Sequence, residues 1–178
     1  MDIEQTNCIY EKKIIIEENQ NSSCRNAESF HAEHACREAS IFLCGKPEAT
    51  FPLFTPVHES EWEPAFQPVF LTSAEPLVPG LVFLTCSQDR GDTIWIMSAY
   101  VPAERRIEYI RVTPASDVAI IRIRVMPSGS NDSEAHISYT FTGLTPAGND
   151  YMRLMTDEKF ALWLADWQEA INNLLRAV

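Results

Sequence analysis

Between residues 69 and 144 apolar and polar positions alternate in short runs, and turn-forming residues separate the runs at close intervals. The runs fall at 69–71, 81–86, 93–99, 105–112, 118–126 and 135–144. Between them stand Pro79-Gly80, Gly91-Asp92, Pro102, Pro114 and Ser128-Gly129, residues that either supply positive φ or fix φ near −65°. Strand, turn and strand at such spacing predict an antiparallel meander. Ala119, Ile121, Ile123 and Val125 alternate with Ile120, Arg122 and Arg124, and Ala135, Ile137, Tyr139 and Phe141 alternate with His136, Ser138, Thr140 and Thr142. One face of the sheet is therefore expected to be dry and the other wet.

The period then changes. A helical stretch is expected after Gly148-Asn149, and from Phe160 the apolar positions Phe160, Trp163, Leu164, Trp167, Ala170, Ile171, Leu174 and Val178 recur with helical spacing. Thr156 is placed to cap this helix, with Asp157 and Glu158 at its positive end. Upstream, 39–44 reads as a short strand closed by Gly45-Lys46-Pro47, and 48–54 as a short helix opened by Pro47 and interrupted at Pro52. Residues 1–37 have a different texture, polar and charged, and read as a loosely packed arm ahead of a domain at 38–178. Its one strand-like run, Ile14-Ile15-Ile16, suits a mobile tail or pairing with a sheet edge or a partner chain.

A dry sheet face needs a cover, and the C-terminal helix is the long amphipathic element that can supply it. Trp163, Trp167 and Phe160 on that helix would face Phe83, Trp95, Tyr109, Tyr139 or Phe141 on the strands. Such a layer is either plain aromatic core or the wall of an apolar pocket.

Composition narrows the choice of partner. The chain has 178 residues, 46% of them apolar, and 25 acidic against 14 basic side chains, a net charge of −11. That balance argues against nucleic acid, where Lys and Arg must neutralise phosphates. No run approaches 18 consecutive apolar residues, so membrane insertion is not expected, and the start lacks an apolar signal core, which reads as cytoplasmic. The five cysteines, Cys8, Cys24, Cys36, Cys44 and Cys86, include no C-x-x-C pair and are expected as reduced thiols. Cys24, His31, His34 and Cys36 contain the residue types of a zinc site without its spacing, so neither a metal nor another cofactor is expected. His58-Glu59-Ser60-Glu61-Trp62 begins like the zincin motif, but Trp62 stands where the second imidazole would be.

The ordered series Phe51-Pro52-Leu53-Phe54-Thr55-Pro56-Val57-His58-Glu59-Ser60-Glu61-Trp62-Glu63-Pro64, Gly80-Leu81-Val82-Phe83-Leu84-Thr85, Trp95 with Tyr100, Tyr109-Ile110-Arg111-Val112-Thr113-Pro114 and Tyr139-Thr140-Phe141-Thr142-Gly143-Leu144-Thr145 resembles the START/SRPBCC superfamily. Within it, the chain looks most like a bacterial group described as polyketide cyclase/dehydrase-like or lipid-transport-like. The resemblance covers about residues 38–178. It departs where a Pro-Gly-Trp segment usually follows the early tryptophan, because this chain has Pro64-Ala65-Phe66. The aromatic is kept and the glycine lost, so the local turn and cavity entrance are expected to differ.

The resemblance implies an α+β helix-grip fold: a curved antiparallel sheet wrapped around a long C-terminal helix, with two short helices after the first strand. It also implies an internal cavity for a small hydrophobic, lipid- or polyketide-like molecule. On that reading Trp62, Phe66, Phe83, Trp95, Tyr109 and Arg111 contact the ligand, as do Ile121, Ile123, Tyr139, Phe141, Phe160, Trp163 and Trp167. The reading placed first is non-catalytic binding. One alternative is a cyclase or dehydratase in which Glu59 or Glu61 transfers a proton, with Arg111 holding a carboxylate or polarising a carbonyl and Tyr109 assisting. In the bland version of that cluster, Glu59 forms a buried pair with arginine or accepts backbone N–H bonds. The other alternative is a protein-binding regulator with a filled core. A homo-oligomer is compatible with all three.

Overall fold

The computed structural model of the chain describes residues 30–87 and 91–177. The chain divides after Phe30, and residues 31–178 form one compact unit. Within it, strands β1 (His34–Leu43), β2 (Val69–Phe70), β3 (Val82–Ser87), β4 (Gly91–Val101), β5 (Arg106–Thr113), β6 (Asp117–Pro127) and β7 (Ser133–Gly143) build one antiparallel sheet. Its order is β1-β7-β6-β5-β4-β3-β2. Strands β2 to β7 follow one another as a meander, and β1 pairs with β7. Helix α1 (Pro47–Thr50) follows β1, α2 (Pro146–Leu154) follows β7, and α3 (Asp157–Ala177) ends the described chain. This is the curved sheet and long C-terminal helix of the helix-grip fold.

The alternation in the sequence is the alternation in the sheet. Along β6 and β7 Ala119, Ile121, Ile123, Val125, Ala135, Ile137, Tyr139 and Phe141 are buried. Gly80, Gly91 and Gly129 adopt positive φ in the turns, as expected. Lys159 N donates to Thr156 Oγ1 at 3.3 Å, so Thr156 caps α3.

Three expectations need correction. The first strand begins at His34, not at residue 39, and reaches into the segment read as an arm. Its first residues alternate only between exposed and half-buried, so they carry no hydrophobic signal, and pairing with β7 from His34 opposite Thr142 supplies the order. The two short helices are one α-helical turn, α1, followed directly by a 3-10 turn at Phe51–Phe54, with another 3-10 turn at Glu59–Glu61. The helix expected after Gly148-Asn149 starts earlier, at Pro146, with the Thr145 hydroxyl accepting from Gly148 N at 3.1 Å. The runs at Ile14-Ile15-Ile16 and at Cys8 and Cys24 lie outside the described residues.

Helix α3 is tied to the outer edge of β1. Phe42 N donates to Gln168 Oε1 at 2.7 Å, Cys44 N donates to Asn172 Oδ1 at 2.7 Å, and Asn172 Nδ2 donates to Phe42 O at 3.0 Å. These bonds satisfy edge-strand groups that would otherwise be open to another chain. No helix among the described residues is long and apolar enough to cross a membrane.

Gly148 shows how closely α2 approaches the β5–β6 turn, because a Cβ at this position would collide with the Ser116 carbonyl. Gly148→Ala is expected to lower unfolding stability by roughly 1–3 kcal/mol, the usual cost of overpacking a tight contact. Urea unfolding monitored by tryptophan fluorescence measures it.

Candidate functional site

Antiparallel register sets the inner wall as rows of side chains across the sheet. One row runs Phe83, Trp95, Arg111, Ala119 and Phe141, each opposite the next on its neighbouring strand. The adjacent row runs Met97, Tyr109, Ile121 and Tyr139. Ala119 leaves room between Arg111 and Phe141, and the Arg111 guanidinium lies 5.7 Å from the centre of the Phe141 ring. From the other side come Trp163 and Trp167 of α3, whose rings meet edge to face at 4.9 Å. The closest backbone approach of α3 to the sheet is at β1. Over the central strands the gap is bridged by side chains.

That gap is unevenly filled. Phe83 and Trp95 stack at 5.7 Å, Phe66 sets its edge against both, and Tyr109 sets its edge against them from the next row. Together with Ile121 and Ile123 they leave only about 10 Å³ in the deep part of the interior, hardly room for one water. Nearer the mouth lies a cavity of about 230 Å³. Its aromatic wall is Phe66, Trp95, Tyr139, Trp163 and Trp167, and Glu59, Glu63 and Arg111 supply its charged groups.

The predicted site residues thus separate into groups. Phe66, Trp95, Arg111, Tyr139, Trp163 and Trp167 line the larger cavity. Phe83, Tyr109, Ile121 and Ile123 face only the tight inner space. Phe141 lies beneath Arg111, and Phe160 packs on Tyr139 at 5.5 Å, so both back the wall. Trp62 stands behind Trp167 and donates from Nε1 to the Leu53 carbonyl at 2.8 Å, fixing the loop after α1.

Of the two proposed acids, the 3-10 turn brings only Glu59 to the cavity. Glu61 turns outward and meets His58 Nδ1 at 2.7 Å. Residues two apart on a tight turn point to different sides, and sequence spacing could not say which side was inside. Tyr109 is not free to assist chemistry, since its hydroxyl donates to the Phe54 carbonyl at 3.0 Å. Of the two structural alternatives for Glu59, the buried pair with arginine is not formed among the described residues. Arg111 instead donates from Nη2 to Asp117 Oδ2 at 2.5 Å, with Asp117 fully buried and itself accepting from the Ser116 hydroxyl at 2.9 Å.

Four lining residues escaped the sequence reading: Glu63, Ala65, Thr85 and Cys86. Thr85 was within reach, because it lies two residues from Phe83 and shares its face of β3. Its hydroxyl accepts from Trp95 Nε1 at 2.9 Å and holds that indole against the wall. Cys86, at the end of the strand, carries no periodic signal, and a hydrogen bond with Asp92 raises its thiol pKa and keeps it protonated.

Burial pushes the Glu59 carboxyl up to about 8, and the neighbouring Glu63 carboxylate pushes in the same direction. Among the described residues the Glu59 carboxyl has neither a hydrogen-bond donor nor a cation beside it. Desolvation, followed by the Glu59 charge, also raises Tyr109; it raises Tyr139 too, against the lowering effect of Arg111. Neither phenol ionises at neutral pH.

The folded Glu59 binds its proton up to about pH 8, whereas the unfolded chain releases it near 4.5. Between those values the native state holds the extra proton, so this group makes stability fall as pH rises through the window. Glu59→Gln should therefore match the wild type near pH 4 and exceed it at pH 9. Urea midpoints of both proteins at the two pH values test the difference.

No family model matches the chain, and no curated protein matches it in sequence. Solved structures do match in shape. Truncated norcoclaurine synthase from Thalictrum flavum superposes with a TM-score of 0.62 at 11% identity, over 82% of this chain and 96% of that one. Ara h 8.0201 gives 0.62 at 12% identity, over 82% and 100% of the two chains. XoxI from Bacillus cereus gives 0.57 at 19% identity, over 80% and 94%. These are likenesses of fold, and with the register and the gripping helix they show that the chain adopts the helix-grip fold.

Proposed function

We propose that the protein binds one small, mainly aromatic molecule in the cavity between α3 and the sheet. The observation that carries this reading is an open space of about 230 Å³ walled by five aromatic side chains and only a few polar groups. Ligand pockets have that character, mostly apolar with a few placed polar groups, although at roughly 300–1,000 Å³ drug-sized ones are larger. An apolar cavity of about 150 Å³ accommodates benzene. The space here suits one ring with a short substituent.

A long acyl chain or a multi-ring polyketide suits it less well, because the deeper interior is already occupied by Phe66, Phe83, Trp95 and Tyr109. Among the structures of similar fold, norcoclaurine synthase from Thalictrum flavum is known in complex with dopamine and hydroxybenzaldehyde, both one-ring molecules. That likeness of size supports the reading. The cavity also weighs against a regulator whose core is wholly filled.

A second reading has one specific observation in its favour. Glu59 holds a proton near neutral pH at the wall of the same cavity, which is what a general acid requires. On this reading kcat/KM for a bound substrate falls above pH 8, and Glu59→Gln abolishes turnover while the ligand still binds. Steady-state rates across pH, beside direct binding, separate the two readings.

The binding reading is tested at the mouth. Ala65 is exposed and lines the cavity, so Ala65→Phe should fill the space without disturbing the core. Toluene binding followed by ligand-observed NMR is expected to weaken by at least about tenfold, equivalent to ~1.4 kcal/mol. Equal toluene binding by the two proteins would defeat the proposal.

A further inference from the structure

Glu59 sits in a tight turn that uses up its main chain. Its N–H donates to the Thr55 carbonyl at 2.9 Å, and its carbonyl accepts from Trp62 N at 3.2 Å and from Glu63 N at 2.9 Å. The side chain is the part left to face the cavity, and Glu59 lines both the 230 Å³ space and the small space beneath it. Its charge acts on the phenols of Tyr109 and Tyr139, which stand on the inner face of the sheet, so the carboxyl points inward. Among the described residues nothing donates to it. Its oxygens are not sealed off either. Among those residues the side-chain polar atom that is both closed to water and without a partner is Arg111 Nε, so the Glu59 oxygens stay open to a molecule entering the space. An enclosed carboxyl with free acceptor sites and access to a cavity calls for a donor from outside the chain. Resting on the proposed ligand-binding reading, we infer that the ligand is a protonated aromatic amine whose ammonium group pairs with the Glu59 carboxylate.

The choice of a cation follows from the groups around that carboxyl. Glu63 shares the wall, where its Oε1 accepts from Ala65 N at 3.1 Å, and its charge opposes ionisation of Glu59. Arg111 is the one base in the lining among the described residues, and Asp117, fully buried, already balances it. Tyr109 of β5 and Tyr139 of β7 keep their protons at neutral pH, as does Cys86 of β3, and α3 brings only two indoles to the lining. The site is therefore negative once Glu59 ionises. A ligand carboxylate would add a further acid and lose its hydration on entering. A ketone would take a hydrogen bond from protonated Glu59 but would leave Glu63 unopposed. An ammonium pairs with Glu59, relieves its repulsion with Glu63, and lies among aromatic rings, of which tryptophan attracts cations most strongly. Trp95, Trp163 and Trp167 all line this space. The net charge of −11 also draws cations toward the protein.

Benzylammonium and ethylbenzene form a matched pair, alike in shape except that the terminal NH3+ of the first is CH3 in the second. Both are titrated into the wild type and into Glu59→Gln, which keeps the outline of the side chain and removes its charge. Glu59→Gln is expected to weaken benzylammonium by roughly tenfold or more and ethylbenzene by less than about twofold. A second readout follows the proton. In the ligand-free protein Glu59 holds its proton up to about pH 8, and the ammonium stabilises the carboxylate, so binding expels that proton. Benzylammonium affinity in the wild type is expected to rise with pH between 6 and 7.5 by up to about tenfold per unit, a range over which an alkylammonium keeps its own proton. Calorimetry in buffers of different ionisation enthalpy reads the released proton. Neither ethylbenzene in the wild type nor benzylammonium in Glu59→Gln should show this slope. Benzoate is expected to bind more weakly than ethylbenzene.

Equal weakening of both probes by Glu59→Gln, no weakening of benzylammonium, a flat pH profile for it in the wild type, tighter binding of benzoate, or binding of ethylbenzene without benzylammonium would each overturn the inference while leaving the cavity reading intact. Should Glu59→Gln not fold, the wild-type pH profile and the charge series decide. Failure of both ethylbenzene and benzylammonium to bind the wild type would overturn the cavity reading itself, and this inference with it.

Discussion

The molecule is organised by a mismatch of widths. Seven strands at about 4.8 Å spacing make a sheet roughly 30 Å across, and its inner face must be kept from water by a helix only about 10 Å wide. Helix α3 is not centred over that face. Gln168 and Asn172 bond it to the backbone of β1, so it lies close to the sheet at one margin and stands off over the middle. Over the middle of the sheet Trp163 meets Tyr139 and Trp167, and the two indoles line with Phe66 and Trp95 the space left between, which is the cavity. The cavity is therefore a consequence of how the helix is anchored.

Edge-to-face packing stiffens this arrangement. Phe66, Phe83, Trp95 and Tyr109 form a contiguous set in which most neighbouring rings are nearly perpendicular, a geometry that adds attraction beyond area burial and resists sliding. Thr85 fixes the Trp95 indole and the Phe54 carbonyl fixes the Tyr109 hydroxyl, so two rings are held at their polar ends as well. A wall made this way keeps its shape when empty. The ordering cost of binding has largely been met during folding, which favours recognition of a small ligand that brings little surface of its own.

Much of this was legible in the sequence because periodicity is a local property. Alternation in β6 and β7 identified the inner face, and the spacing of Phe160, Trp163, Leu164, Trp167 and Ile171 identified the gripping helix. What was not legible depends on register and on the direction of a turn. The early half of β1 is polar on one side and only half-buried on the other, so its order comes from β7 and not from its own composition. Arg111 was recognised as a candidate, but its partner was not. Asp117 lies on the same face of β6 as Ala119, which pairs with Arg111, and that neighbourhood exists only once the hairpin is formed. Glu59 and Glu61 were equivalent in sequence, and the 3-10 turn made one internal and the other external.

The two internal charged groups are treated in opposite ways, and the contrast bears on function. Arg111 has its counterion built in, so the fold bears the cost of its burial permanently and gains a donor at a fixed place. Glu59 has none, so burial against the cavity wall and the nearby Glu63 carboxylate raise its pKa, and it ionises only at a cost. A single cavity thus has in its wall a positive group whose charge is balanced from behind and a carboxyl whose charge is not.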